Sequence, residues 1–370
     1  MTQGLVYIGV THQTAPLSIR ERFAADRDGL PALLARVRDH AAECVILSTC
    51  GRFEVYAWAD TAEAETWRRR FAELFAVPSG LVGRHARVRI GASAAEHLLR
   101  VAAGLESQII GDEQVVGQVR EAFGLACRTR SIGPMLSALF RAAIHVGKRV
   151  RRETTVCRAA HSFAELAVGH VARTIDAIEG QTVLVVGSGN LAGRVVSHLA
   201  DSPRGRLVLA SRYVDRARGL AGRAGGLGID LTSLPEWVRR ADAVVTCTSS
   251  PRFVITPEMI RRDGRTTTVV DLGMPRNVDP AVGHVKGVRL CPMDALVPAG
   301  GPGDEAVGAA ERIIAEELAR FVEWMRLRRL GPEIARLVRR VEGGSTKPTP
   351  EMKRQLHALI VRLKREGQAA

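Results

Sequence analysis

The chain has 370 residues, 46% of them hydrophobic, which is too long for one ordinary domain and apolar enough to build two or three cores. Its formal net charge of +14 favours a polyanionic partner, nucleic acid ahead of an anionic membrane; the competing reading is arginines that merely solvate helices. No apolar run is long enough to cross a bilayer, no signal peptide follows Met1, and cysteines 44, 50, 127, 157, 247 and 291 show no metal-ligand or disulfide spacing, so a cytoplasmic chain without a metal site is expected.

The first third alternates between two periods. "LVYIGV" predicts a strand, "GLPALLARVRDH" a helix, "ECVILST" and "RFEVYAWA" strands, "AETWRRRFAELF" a helix and "VRI" a short strand. With a helical run from Ala94 to about Val150, these make a first α/β domain over residues 1–155. "SFAELAVGHVARTI" predicts a long connecting helix, a spine over 156–179. "QTVLVVGSGNLAGRVVSHLA" then reads as strand, Gly-rich turn and helix. "RLVLASR", "ADAVVTCTSS" and "TTVVDLGMP" follow at the spacing of parallel strands, giving a Rossmann-type domain over 180–300. A Pro/Gly loop precedes a long amphipathic helix with one Gly-Pro break, the linker "GGSTKPTP" and a basic helix, all within a helical region at 305–370. Ile313, Ile314, Leu318, Phe321 and Trp324 fall toward one side of the long helix. That apolar face predicts a homodimer through the residues after Asp304.

Gly187, Ser188, Gly189, Asn190, Leu191 and Ala192 fit G-x-G-x-x-A between a strand and a helix. The glycines permit the turn and the approach of a pyrophosphate, and the helix start offers free N–H groups. The bland alternative is a turn that only packs tightly. At the end of the next strand, where NAD sites carry an acid, stand Ser211 and Arg212, with Arg216 a turn later. A cation there suits the 2′-phosphate of NADPH; otherwise Arg212 is a solvated loop residue.

Cys50 sits at a strand-to-strand corner between Thr49 and Gly51, with Arg52 and Glu54 behind. A nucleophilic thiol needs a nearby cation and access, which Arg52 and Gly51 could supply; a lone cysteine after an apolar strand is otherwise a small core residue. His97, on a predicted helix, is either a core histidine or a general acid or base. Ser107, Asp112, Glu113, Gln114 and Gln118 are poor core choices in an apolar helical segment, so they mark either a ligand surface or a solvated face.

Several of these segments together resemble the glutamyl-tRNA reductase family. They are "GVTHQTAPLSIRE" (Gly9 to Glu21), "STCGRFE" (Ser48 to Glu54), "HLLRVAAGLESQIIGDEQVVGQV" and "DLGMPRNVDP" from Asp271, in order and at fitting spacing from Gly9 to about Glu342. The resemblance implies that Cys50 attacks glutamyl-tRNA to form a thioester, which NADPH reduces to glutamate-1-semialdehyde. This is the first step of the C5 route to 5-aminolevulinate and tetrapyrroles. It further implies that Arg52 holds the substrate carboxylate, that Thr49, Glu54, Ser107, Gln114 and Gln118 position the aminoacyl group, and that His97 handles protons. It implies a V-shaped homodimer, with a downstream aminomutase as a candidate partner.

Gly51 and Phe53 depart from the family's Asn and Thr, Asp112 from its Glu, and Glu106 from its Asp. If Gly51 and Phe53 line the pocket, the preference for glutamate weakens. Two other readings follow: a paralogue reducing another aminoacyl-tRNA or carrier-bound acyl group, and a non-catalytic homologue binding tRNA or a partner protein.

Overall fold

The computed structural model describes residues 3–60, 63–159, 161–175, 180–201, 205–260, 264–298 and 300–342, with positions 354, 357, 358 and 361. The first domain opens with β1 (Gln3–Thr11), α1 (Leu17–Arg20), α2 (Leu30–Arg38), β2 (Glu43–Ser48) and β3 (Arg52–Asp60). It continues through α3 (Ala64–Phe75), α4 (Ser79–His85) and β4 (Arg87–Ile90) to the helices α5 (Ala92–Ala102), α6 (Gln114–Arg128) and α7 (Pro134–Glu153). The four strands form an antiparallel sheet in the order β2-β3-β1-β4.

Successive β3 side chains point to opposite faces of that sheet. Phe53, Val55 and Ala57 enter one core with Trp67, Phe71 and Phe75. Tyr56 and Trp58 enter the other, beneath α5, α6 and α7.

The helix predicted through "GLESQIIGDE" is broken. α5 stops at Ala102, and Gly104 and Gly111 take left-handed φ values of +77° and +87°, so residues 103–113 form a loop. Ser107 and Asp112 therefore stand on a turn rather than a helix face.

The second domain begins with α8 (Phe163–Thr174) and β5 (Thr182–Val186), followed by α9 (Asn190–Ala200), β6 (Arg206–Ser211), α10 (Val214–Gly222) and β7 (Leu227–Asp230). α11 (Leu234–Arg240), β8 (Ala243–Thr246), β9 (Thr267–Asp271) and β10 (Val288–Pro292) complete it. Its six parallel strands run β10-β9-β8-β5-β6-β7, the doubly wound order whose switch point lies between β5 and β8.

The described part of 156–179, where the sequence predicts a long connecting helix, is not one long helix. Over 156–179 the chain makes a 3-10 turn, Val156–Ala159, and the 12-residue α8, whose Ala164, Ala167, Val168 and Val171 pack into the second domain's core; residues 176–179 lie outside the described set. The long element is α12 (Asp304–Glu342), 39 residues that run through Gly331-Pro332 without the expected break. The linker at 343–350 lies outside the described residues, as does most of the last basic helix.

α12 also revises the origin of the apolar face. Ala310, Ile313, Ile314, Phe321 and Met325 are buried against the first domain's core, alongside Leu98, Val146 and Val150, with Leu318 and Trp324 at its edge. The stripe that predicted a dimer is covered by the chain's own α5 and α7. Phe321→Ala should accordingly lower stability by about 3–5 kcal/mol, the usual cost of emptying a large buried site. Urea unfolding followed by circular dichroism checks this, and the loss should not depend on protein concentration.

Candidate active site

The β2–β3 corner holds Thr49, Cys50 and Gly51. It is closed by the Thr49 amide donating to the Arg52 carbonyl at 2.9 Å, and the Gly51 amide donates to Thr49 Oγ1 at 3.2 Å. Two contacts from the "GVTHQTAPLSIRE" segment hold it. The His12 amide donates to the Gly51 carbonyl at 2.9 Å, and Arg20 Nη1 donates to the Cys50 carbonyl at 2.6 Å. Cys50 is half-buried and packs against the second domain's core, a cluster that also takes in Leu17 and, at its edge, Met274. The thiol therefore stands at the seam between the domains. Burial, with Asp112, pushes it up against the pull of Arg20 and Arg52, so it carries a proton near neutrality.

Behind the corner lies a buried polar knot. Glu54, with no exposed surface, accepts from Arg52 Nη1 at 3.1 Å and Tyr56 Oη at 2.8 Å, and pairs with His97 Nε2 at 2.9 Å. Tyr7 Oη lies at 3.5 Å, and its ring packs on His97 with centroids 4.3 Å apart. Burial alone would raise the Glu54 carboxyl; Arg52 and His97 outweigh it and hold the group at about 2. Arg52 Nη2 also donates to the Glu106 carbonyl.

Several buried polar atoms around the corner have no partner among the described residues: His12 Nδ1, His97 Nδ1, Ser107 Oγ and Gln108 Oε1. Such atoms are costly unless something satisfies them. A bound acyl group with polar substituents would do so. His12 is neutral, its imidazole lowered to about 4 by burial and by Arg52 and Arg20.

In the second domain Gly187 has φ +124°, and a Cβ there would lie 2.5 Å from the Cys247 carbonyl oxygen, whereas one on Gly189 would meet nothing within 4 Å. The first glycine is required by the turn, and the second leaves the backbone open. Gly187, Ser188, Gly189, Ser211, Arg212 and Thr248 line a cavity of about 250 Å³. Ser188 and Ser211 join their hydroxyls at 2.7 Å. Asn190 opens α9 and lines an adjoining cleft with Arg194 and Arg216. This cradle fits a dinucleotide.

Residues 8–154 match the family described as "Glutamyl-tRNAGlu reductase, N-terminal domain", and residues 170–298 match "Shikimate / quinate 5-dehydrogenase". The glutamyl-tRNA reductase of Sorangium cellulosum is 35% identical over 364 residues, covering 90% of this chain and 69% of the relative. That of Thermus thermophilus is 34% identical over 329 residues, covering 88% and 81%. The chain belongs to the glutamyl-tRNA reductase family. Among solved structures, the glutamyl-tRNA reductase of Methanopyrus kandleri aligns over 99% of this chain and 93% of its own, at 28% identity and a TM-score of 0.49.

Against the family's expected site, several residues stand differently. His97 is 4% exposed, and its Nε2 is held by Glu54, which leaves only Nδ1 for other chemistry. Arg52 is not a free two-pronged donor: Glu54 and the Glu106 carbonyl each take part of its fork. Phe53 faces away from the knot, edge-on to Phe75 at 4.7 Å in the opposite core. Its departure from the family's Thr is a packing change and leaves the pocket alone. Gly51, by contrast, is at the site, where an added Cβ would come 3.9 Å from His12 Nδ1.

Glu113 is exposed and pairs with Arg151 at 2.7 Å. Asp112 Oδ1 accepts the Gln114 amide at 2.9 Å and so starts α6. Gln118 shares a separate groove with Ser48, Arg27, Arg120 and Arg128. Ala192 is fully buried and Leu191 packs beside it in the core, so both support the Gly-rich turn from below. The residues missed by the sequence reading are Tyr7, His12, Arg20, Glu21, Gln108, Arg276 and Asp294. Five of them lie inside the quoted motifs, so the signal was present without a role attached.

Glu54 gives a pH prediction. A carboxyl depressed in the folded state contributes stability that is fully present above its unfolded value and is lost as pH falls through the folded one. Stability should drop as pH falls from about 4.5 toward about 2. Glu54→Gln should lower stability near neutrality and flatten that acid limb, as read from unfolding midpoints across the range.

Proposed function

We propose that this chain reduces glutamyl-tRNA to glutamate-1-semialdehyde with NADPH through a thioester on Cys50, the first step of the C5 route to 5-aminolevulinate and tetrapyrroles. The observation that carries the reading is the seat of Cys50, a first-domain thiol packed on the margin of the dinucleotide-binding domain. The Cys50 sulfur attacks the ester carbonyl. A C–S bond forms, the bond to the terminal ribose oxygen breaks, and tRNA departs. The neutral imidazole of His12, with its unpartnered Nδ1, is suited to take the thiol proton. Arg52, fixed by Glu54, keeps a cation beside the corner for the substrate carboxylate, and Ser107 and Gln108 offer hydrogen bonds to the aminoacyl group. NADPH held by Gly187, Gly189, Ser211 and Arg212 would supply the hydride for the thioester carbon, and Cys50 would leave as its thiol as the aldehyde forms.

Phe53 points away from the site, which favours retained glutamate preference over a reshaped pocket. We also propose a homodimer formed through the chain beyond the docked part of α12, and direct transfer of the reactive aldehyde to the downstream aminomutase. Among the described residues no helix is long and apolar enough to span a membrane, and the cytoplasm, which holds charged tRNA, is the compartment this reading requires.

Incubated with charged glutamyl-tRNA and NADPH, the protein should release the aldehyde, and Cys50→Ser should not. A hydroxyl is the weaker nucleophile, and its ester resists hydride. Aldehyde formation by Cys50→Ser near the wild-type rate would refute the covalent route.

Arg212 and Arg216 line the cavity at the end of β6, where no acid stands. Arg212→Ser should weaken NADPH binding by roughly ten- to a hundredfold, the worth of one charge-assisted contact to phosphate, and leave NADH binding unchanged. Fluorescence titration of both cofactors decides it.

A further inference from the structure

The thiol and the dinucleotide groove belong to different domains, so reduction, unlike acylation, depends on how the domains meet. Two ion pairs hold that junction. Arg20, 2% exposed, reaches three ways: Nε donates to the Ala15 carbonyl at 3.2 Å, Nη1 to the Cys50 carbonyl at 2.6 Å, and Nη2 pairs with Asp294 of the second domain. Asp294 follows β10 and also accepts the Leu17 amide at 3.1 Å. Beside it, Glu21 takes Arg276 in a two-pronged pair, with Nε at 2.9 Å.

Arg276 is no loose surface arginine. Its turn is pinned by Asp271, which accepts the amides of Gly273 at 2.9 Å and of Asn277 and Val278 at 3.0 Å, with Thr246 Oγ1 at 2.7 Å. Asn277, fully buried, accepts the Thr248 amide at 2.8 Å, and Thr248 lines the dinucleotide cavity. The route from groove wall to thiol is part polar and part covalent: Thr248 bonds to Asn277, its chain neighbour Arg276 pairs with Glu21, and the neighbour of Glu21, Arg20, holds the backbone of Cys50. Gln108 Nε2 adds a contact across the seam to the Met293 carbonyl at 3.3 Å.

We infer that the Glu21–Arg276 and Arg20–Asp294 pairs are positioning devices for the second half-reaction, setting how the Cys50 acyl group meets the bound dinucleotide. The inference rests on the thioester reading above. The groups assigned to acylation, His12, Arg52 and Ser107, all lie in the first domain. Acylation should thus survive loss of either pair, whereas hydride transfer, sensitive to displacements of about 1 Å, should not. Plain adhesion between domains would make no such distinction.

The test uses the full chain and separates the two steps. Discharge of glutamyl-tRNA without NADPH reads acylation, and aldehyde release with NADPH reads reduction. Arg276→Gln and Asp294→Asn should discharge tRNA within about twofold of wild type and lose roughly ten- to a hundredfold in reduction at saturating NADPH. The swapped pair Glu21→Arg/Arg276→Glu, which restores the attraction, should recover most of the reduction. Discharge and reduction falling together, neither falling, or a swapped pair no better than the single variants would each overturn the inference. Wild-type protein that discharges no glutamyl-tRNA would instead overturn the reading of the activity itself, a distinguishable outcome.

Discussion

A carboxylate buried without exposed surface has to be met by donors on every side. Glu54 is met by Arg52, His97 and Tyr56, with Tyr7 alongside, drawn from β1, β3 and α5. That demand fixes the sheet and the helix above it in one arrangement. It also fixes Arg52, hence the start of β3, hence the three-residue corner that carries Cys50. The thiol owes its location to a charge two positions beyond Arg52 that never reaches solvent.

The knot has a second effect. Glu54 takes part of the Arg52 charge, so the pull of Arg52 on the Cys50 thiol is outweighed by burial. The surroundings of Cys50 therefore favour a neutral thiol. A neutral thiol is slow to oxidise, which protects a half-buried cysteine at the seam of the two domains.

Much of this was legible in the sequence. Every strand read from the sequence is present, and most are buried on both faces, so a continuous apolar run marked them more plainly than alternation did. The Gly-rich turn was legible for a local reason: Gly187 occupies a conformation and a gap that other residues cannot use. What escaped was set by distant parts of the chain. The partners of His97 and Arg52 are tertiary. The face of Phe53 could have been read from strand alternation, since Arg52, Glu54 and Tyr56 share one side. The stripe on α12 was correctly seen as needing cover, but a stripe does not say whose surface covers it; here it is α5 and α7 of the same chain. The break at 103–113 was signalled by two glycines and obscured by the apolar residues around them.

The route of α12 bears on how the protein is made. The first domain's core includes Ala310, Ile313, Ile314, Phe321 and Met325, which are synthesised after the whole second domain. While the ribosome works through residues 160–300, the face formed by α5 and α7 has no cover, and the second domain can assemble on its own sheet meanwhile. The nascent chain thus carries an open apolar flank for the length of an entire domain, a target for chaperones that closes only when α12 emerges.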